Sequence, residues 1–388
     1  MSADPVTRSA RRWWTRPWVL ALGLVVLAAI GVFAWADSAA GGWWTFQPGA
    51  APQITPSGQC KLTSGGGLQL PDGRPCARIA VPAARSHAIG GRLLMVDVLV
   101  GPTTPWEFLL AQVGLLDTVS PASTLVPASS VLGGAPASQF TCQDNEQMAA
   151  AQTYAPVAAL RSFGYKIPFH YHGSLVTLVE PGSPAARAGV RCGDTVVALA
   201  GTPTPTASDL INAVEGHRPG TVVTITVRRG AAEHTYRVKL GSRPAIGGQP
   251  AQPGKGFLGI GTTDVPSYRL PFPIDIKVGN IGGPSAGLAL TLGILDTVSG
   301  GHLTGGHVVA VTGTIGPNGD VGAVGGVAQK TVAVQRAGAT LFLVPVSEVP
   351  TARREARPGM RVEGVTTLRQ AVHDLEAIGG TVPAPAGG

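Results

Sequence analysis

Residues 18–36 carry no charge and are nearly all apolar. A run of this length is close to the ~20 residues a helix needs to cross a bilayer. Trp13, Trp14, Trp18 and Trp35 flank or cap it, as aromatic residues do at membrane interfaces. Arg8, Arg11, Arg12 and Arg16 precede it and Asp37 follows it. The positive-inside rule then assigns residues 1–17 to the cytoplasm and everything after residue 36 to the far side of the cell membrane, as a single-pass protein. The competing reading is a cleaved signal peptide. The run is long for such a segment, and Ala34-Trp35-Ala36 is a mediocre cleavage site, so the pattern favours a transmembrane anchor. Either way the body is exported.

Export bears on the four cysteines, Cys60, Cys76, Cys142 and Cys192, which contain no CxxC pair. An even number in an oxidising compartment fits two disulfides better than a metal site, and four cysteines allow three pairings. The expected pairs are Cys60–Cys76, closing a short loop, and Cys142–Cys192, tying the middle of the chain to the next domain. Four buried free thiols are the bland alternative. The net charge of +7 is weak support for nucleic-acid binding, because four of the arginines lie in the first sixteen residues and the others are scattered without aromatic interleaving. No nucleic-acid partner is expected. Gly 54 and Pro 33 make over a fifth of the 388 residues, too loop-rich for a helical bundle, while 44% hydrophobic content is too high for disorder. The class expected is α+β.

Residues 37–74 read as a linker, rich in Gly, Pro and Ser over much of their length. Residues 75–165 read as an extracytoplasmic spacer or platform. They hold a strand pattern over 92–100 and helical patterns over 106–113 and 145–163, and no recognisable chemistry. Residues 166–241 are more specific. Strand patterns at 175–179, 195–200, 222–228 and 235–240 surround Ser183-Pro184-Ala185, Ala188-Gly189, Gly193-Asp194 and an amphipathic helix over 207–214. Residues 242–256 read as a second linker. Gly254-Lys255 lacks the other elements of a phosphate-binding loop, and no nucleotide-hydrolysing module is recognised. His170 and His172 alternate on a strand without a Cys, Asp or Glu partner set, so they read as surface polar residues. No metal or other cofactor is expected.

From residue 257 to 378 the pattern alternates strands and helices, and 379–388 reads as a frayed tail. A turn, Gly279-Asn280-Ile281-Gly282-Gly283-Pro284, delivers Ser285 to the start of a buried helix. An N-cap serine is the bland reading. The chemical reading needs a hydroxyl on a tight turn, converging backbone N–H groups and a base. The N–H groups of Ser285 and Gly283 can donate; Pro284 has none. No convincing histidine motif supplies the base. Lys330 lies in the first turn of a helix among Val327, Ala328, Val332 and Ala333. Both the helix dipole and desolvation lower its pKa toward the neutral amine that a base requires. The chain has six lysines against 23 arginines, so a lysine at a motif position invites attention; codon bias would explain the split equally well.

Gly283-Pro284-Ser285-Ala286-Gly287, Thr312-Gly313, Gly325-Gly326 and Lys330, in that order, resemble the proteolytic domain of the Lon peptidases over roughly 257–375. The resemblance implies a Ser–Lys dyad: Ser285 as nucleophile, Lys330 as general base, Thr312 orienting the lysine and Gly283 supporting the oxyanion. It departs from the family at Gly282, where many members carry an acidic residue three before the serine. Residues 174–240 resemble a PDZ domain of the protease-associated type. That resemblance implies a groove between a strand and the 207–214 helix that adds a peptide as an extra strand, with Leu175, Val176, Leu210 and Val214 as expected peptide contacts. The region before the first strand departs from the usual carboxylate-binding loop. The whole order, a membrane anchor, then a PDZ domain, then a Lon-type domain, resembles the bacterial YlbL-like PDZ-containing peptidases. It implies an ATP-independent, membrane-anchored serine endopeptidase acting outside the cytoplasm on extended polypeptide substrates. A homo-oligomer is implied by analogy only. The alternative is an inert PDZ/Lon-like scaffold or adaptor that binds membrane or exported proteins.

Overall fold

The computed structural model describes residues 17–56, 60–132, 136–245 and 250–382. The basic stretch with Arg8, Arg11, Arg12, Arg16, Trp13 and Trp14 lies outside the described residues, as does most of the 379–388 tail. The apolar run forms one helix, Pro17–Ala40. Its side chains from Leu22 to Phe33 point outward with nothing packed on them, so water is a poor solvent for this helix. Its last turns are covered: Ala36 and Ala40 are buried against Phe108.

The 37–74 stretch read as a linker is structural. The strand Trp43–Pro48 pairs antiparallel with Val98–Pro102 on one side and Thr124–Pro127 on the other. Gln53–Pro56, Cys76–Ala80 and Arg92–Met95 enter a seven-stranded sheet. Its order is Asp275–Lys277, Cys76–Ala80, Gln53–Pro56, Arg92–Met95, Val308–Val311, Leu341–Pro345, Arg361–Val365. Arg92–Met95 runs parallel to Val308–Val311 and joins the early and late parts of the chain. The early strands are short and interleaved with turns, so no periodicity marks them off from a Gly/Pro-rich connection.

The helix Gly287–Ser299 crosses this sheet buried on all sides. Gly293 explains how the early strands come so close: a Cβ there would sit 2.7 Å from Ile54 and 2.8 Å from Ile79. The long helix Ala137–Ser162 packs on the same central helix through Met148, Ala155, Ala158 and Ala159. The small side chains of this face allow close approach.

The PDZ body lies between Ser162 and Asp275, inserted into the sequence of the larger domain. Its main sheet runs in the order Ala232–Lys239, Val222–Arg229, Thr195–Leu199, His170–Val179, Ile260–Ser267. Residues 242–256 are likewise not a bare linker, since Gly241–Arg243 pairs with Gln252–Phe257. Leu258 is part of the PDZ core. The strand Ile260–Ser267, read from sequence as part of the proteolytic region, is the edge of the PDZ sheet. The sulfurs of Cys60 and Cys76 are bonded to each other, as are those of Cys142 and Cys192.

Candidate active site

The Gly279–Gly283 turn needs positive φ at both ends, +69° at Gly279 and +80° at Gly283, conformations that side chains other than glycine rarely adopt. A single 3-10 turn, Pro284–Ala286, follows and runs into the central helix. Ser285 therefore stands on the turn itself, half-buried, with the helix N-terminus directly behind it.

The Ser285 carbonyl is held from two sides. Gly313 N–H donates to it at 2.9 Å, and the Thr312 hydroxyl donates at 3.2 Å. Thr312 then has a lone pair left, which accepts from Lys330 Nζ at 3.2 Å. The chain Lys330–Thr312–Ser285 thus links three elements: the helix Val327–Arg336, the end of the strand Val308–Val311 and the serine turn. Lys330 is only 3% exposed. Burial pulls its pKa down to about 8, against the opposing pull of the Asp97 and Glu348 charges.

Ser285 and Lys330 line one cavity of about 490 Å³. Its other walls come from Phe46, Val98, Leu99 and Val100, from the Gly325–Gly326 turn, and from Asp97 and Asp144. Asp97 sits in the bend after Arg92–Met95, where Ala50 N–H donates to its carboxylate. Burial raises its pKa, and the Lys330 charge opposes that shift. Asp144 lies on the Ala137–Ser162 helix, and burial raises its pKa also. Its carboxylate packs on Gly282 so closely that a Cβ at 282 would overlap it. An acidic group therefore does stand beside the position where the sequence has only Gly282. Nothing in the sequence near Asp144 signals this, because contact across the fold brings it there.

Gly283 is corrected as a free donor. Its N–H donates to the Asp144 carbonyl at 2.9 Å. The expected PDZ contacts are corrected as well. Val176, Leu210 and Val214 are buried in the PDZ core. Leu175 lies on a strand paired on both sides, by Thr195–Leu199 and Ile260–Ser267. A strand bonded on both edges cannot add another. The sheet ends at Ala232–Lys239 on one side and at Ile260–Ser267 on the other; the latter lies next to the helix Ala207–Glu215, whose first N–H donates to Asp264 at 2.6 Å. Among the described residues no group of three or more His, Cys, Asp or Glu side chains is arranged for a metal.

Comparison with known proteins finds two matching segments whose bounds differ from those of the folded bodies. Residues 146–240 match the PDZ domain family, and residues 276–374 match the Lon protease (S16) C-terminal proteolytic domain. The PDZ match ends before the Ile260–Ser267 strand that the structure adds to that sheet. A probable periplasmic serine endoprotease DegP-like of Rhizobium meliloti is 33% identical over 108 residues, 25% of this chain and 21% of that protein. A Lon protease of Ureaplasma parvum is 32% identical over 92 residues, 23% of this chain and 11% of that protein. The chain thus spans about a fifth or less of the length of these relatives. The crystal structure of the PDZ domain of an SdrC-like protein from Listeria monocytogenes aligns at 24% identity and a TM-score of 0.20, covering 24% of this chain and 88% of that one. The chain thus has an α+β fold in which one segment is similar to PDZ domains and another to the Lon protease (S16) C-terminal proteolytic domain, with an apolar helix preceding both.

Proposed function

We propose that this protein is a membrane-anchored, extracytoplasmic serine endopeptidase that works without ATP, with Ser285 as nucleophile and Lys330 as general base. The observation that carries the reading is the buried Lys330, with its lowered pKa, hydrogen-bonded through Thr312 to the residue that bears the nucleophile. As the neutral amine, Lys330 takes the Ser285 hydroxyl proton while Oγ attacks the peptide carbonyl. The resulting ammonium returns the proton to the leaving amine, giving an acyl ester on Ser285. Water, deprotonated by the same amine, then attacks the ester and releases the acid. The Ser285 N–H is the first oxyanion donor. Gly283 joins it only when its bond to the Asp144 carbonyl is exchanged for one to substrate. The domains are proposed as a Lon-type body with a PDZ insert, in which the Ile260–Ser267 edge and the Ala207–Glu215 helix form the peptide groove.

The test is degradation of casein without ATP by wild type, Ser285→Ala and Lys330→Arg, together with fluorophosphonate labelling. Arginine keeps the charge but cannot serve as a base. Cleavage and labelling by wild type alone support the dyad. Equal labelling of wild type and Ser285→Ala refutes it. The occupied Gly283 N–H favours one second reading, an inert scaffold, which predicts peptide binding by the PDZ groove and no cleavage by any of the three proteins.

A further inference from the structure

From Val98 to Leu132 the only charged residues are Glu107 and Asp117, and both have hydrogen-bond partners; the Glu107 carboxylate accepts from Gln47 and Thr45 on the strand Trp43–Pro48 as well as from its own turn. Glu107 accepts from the Thr104 N–H at 2.8 Å and the Thr104 hydroxyl at 2.9 Å as a helix cap. Asp117 accepts the Ala122 N–H at 2.5 Å. Two short helices, Pro105–Gln112 and Leu116–Val119, fall in this stretch. They bury Phe108, Leu110 and Leu116, yet leave Trp106 61%, Val113 66%, Leu115 48% and Val119 64% exposed. None of these four lines the serine–lysine cavity. So many large apolar side chains on one hairpin with two acids and no basic residue point to a partner surface.

The position of the hairpin identifies that partner. Its first helix packs on the last turns of the N-terminal helix, with Phe108 against Ala36 and Ala40 and the Trp35 and Phe108 rings edge to face at 5.7 Å. Trp35 closes the uncharged run, at the depth where the helix would leave a bilayer. The apolar hairpin surface is therefore continuous with the bare apolar surface of the N-terminal helix. We propose that the exposed side of the Pro105–Gln112 and Leu116–Val119 hairpin sits in the outer leaflet, among lipid headgroups and upper acyl chains. This rests on the reading of the N-terminal helix as an anchor. The hairpin has no basic residue, so the contact is apolar and gains nothing from anionic lipid. Tethering by the anchor supplies the local concentration that makes so small a surface sufficient. The consequence is orientation: the strand Trp43–Pro48 runs directly from the anchor to the cavity wall at Phe46, so two contacts with the membrane fix how the cavity faces it.

All four native cysteines are in disulfides, so a new cysteine is the lone free thiol. The full chain carrying Val113→Cys, Val26→Cys or Glu233→Cys is labelled with an environment-sensitive NBD fluorophore. Each is reconstituted in phosphatidylcholine vesicles with or without lipids bearing nitroxides both near the headgroup and deep on the acyl chain, so that labels at the interface and at the midplane are each within reach of a quencher. The label at 113 should lose about half its emission or more to the nitroxide lipids, as an interfacial group does, while the label at 233 on the PDZ hairpin is unaffected. A quenched label at 26 with an unquenched one at 113 overturns the hairpin contact and leaves the anchor standing. Unquenched labels at both positions overturn the two together. A blue-shifted but unquenched label at 113 means that protein, such as a second copy, covers the hairpin, and it also overturns the proposal.

Discussion

Lys330 Nζ reaches the Thr312 hydroxyl at 3.2 Å, and that same hydroxyl donates to the backbone of Ser285. Thr312 is therefore a positioning residue, keeping the lysine and the serine turn in one register. Thr312→Val preserves shape but leaves Nζ without this acceptor. We expect a loss of about 10- to 100-fold in kcat on a peptide substrate with KM little changed. Thr312→Ser should recover most of the rate. Equal activity of the valine and wild-type enzymes would remove Thr312 from the site.

The buried lysine makes two pH predictions. In the proposed mechanism activity requires the neutral amine, so kcat should rise with pH and reach half its plateau near the Lys330 pKa of about 8. Stability should follow the same group. The folded-state pKa lies below the unfolded value of 10.5, so between about pH 8 and 10.5 the unfolded chain binds the extra proton and stability climbs with pH. Below that window the penalty is constant, up to about 3 kcal/mol from the shift of 10.5 to about 8. Lys330→Met should thus raise the denaturant midpoint at pH 7 and lose its advantage above pH 10. Asp97, which loses a counter-charge in that variant, offsets part of the gain.

Asp97 makes the opposite contribution. Its negative charge favours the ammonium form of Lys330. Removing the charge in Asp97→Asn should lower the lysine pKa further and move the acid limb of the rate profile to lower pH. An unmoved or alkaline-shifted limb would show that Asp97 does not act on the lysine through its charge.

Gly282 and Asp144 should be coupled. Gly282→Ala drives a methyl group into the Asp144 carboxylate, at a cost of about 1–3 kcal/mol. Asp144→Gly removes the obstacle. The double variant should therefore be more stable than the two single effects summed, as urea unfolding of all four proteins would show. Strict additivity would mean that the helix and the serine turn do not press on each other in solution.

The late half of the chain is legible in its residues. The small-residue turn before Ser285, the glycines before Lys330 and the largely apolar helix between them, whose one acid is Asp296, are local patterns that survive into the structure. The early half is not. Gln53–Pro56 is four residues long, and its place in the sheet depends on pairing with Cys76–Ala80 and on the missing side chain at Gly293, neither of which leaves a trace in periodicity. Asp97 and Asp144 are hidden for the same reason, since each reaches the cavity from an element with no motif of its own. The extent of the PDZ sheet is missed by sequence because Ile260–Ser267 follows the PDZ core along the chain and looks like the start of the next domain, while in space it closes the sheet.

The PDZ body is fastened at three covalent points. The chain enters it after Ser162, leaves it before Asp275, and the Cys142–Cys192 bond pins it to the helix that carries Asp144. Tyr268 adds a hydrogen bond to the Thr153 carbonyl at 2.7 Å. A recruiting domain on a floppy tether offers its cargo to an enzyme at every offset. In the proposed peptidase, one clamped like this would act as a ruler: a polypeptide whose end is caught at the Ile260–Ser267 edge would meet Ser285 only at a set number of residues from that end, and the cut would be chosen by length before it is chosen by side chain.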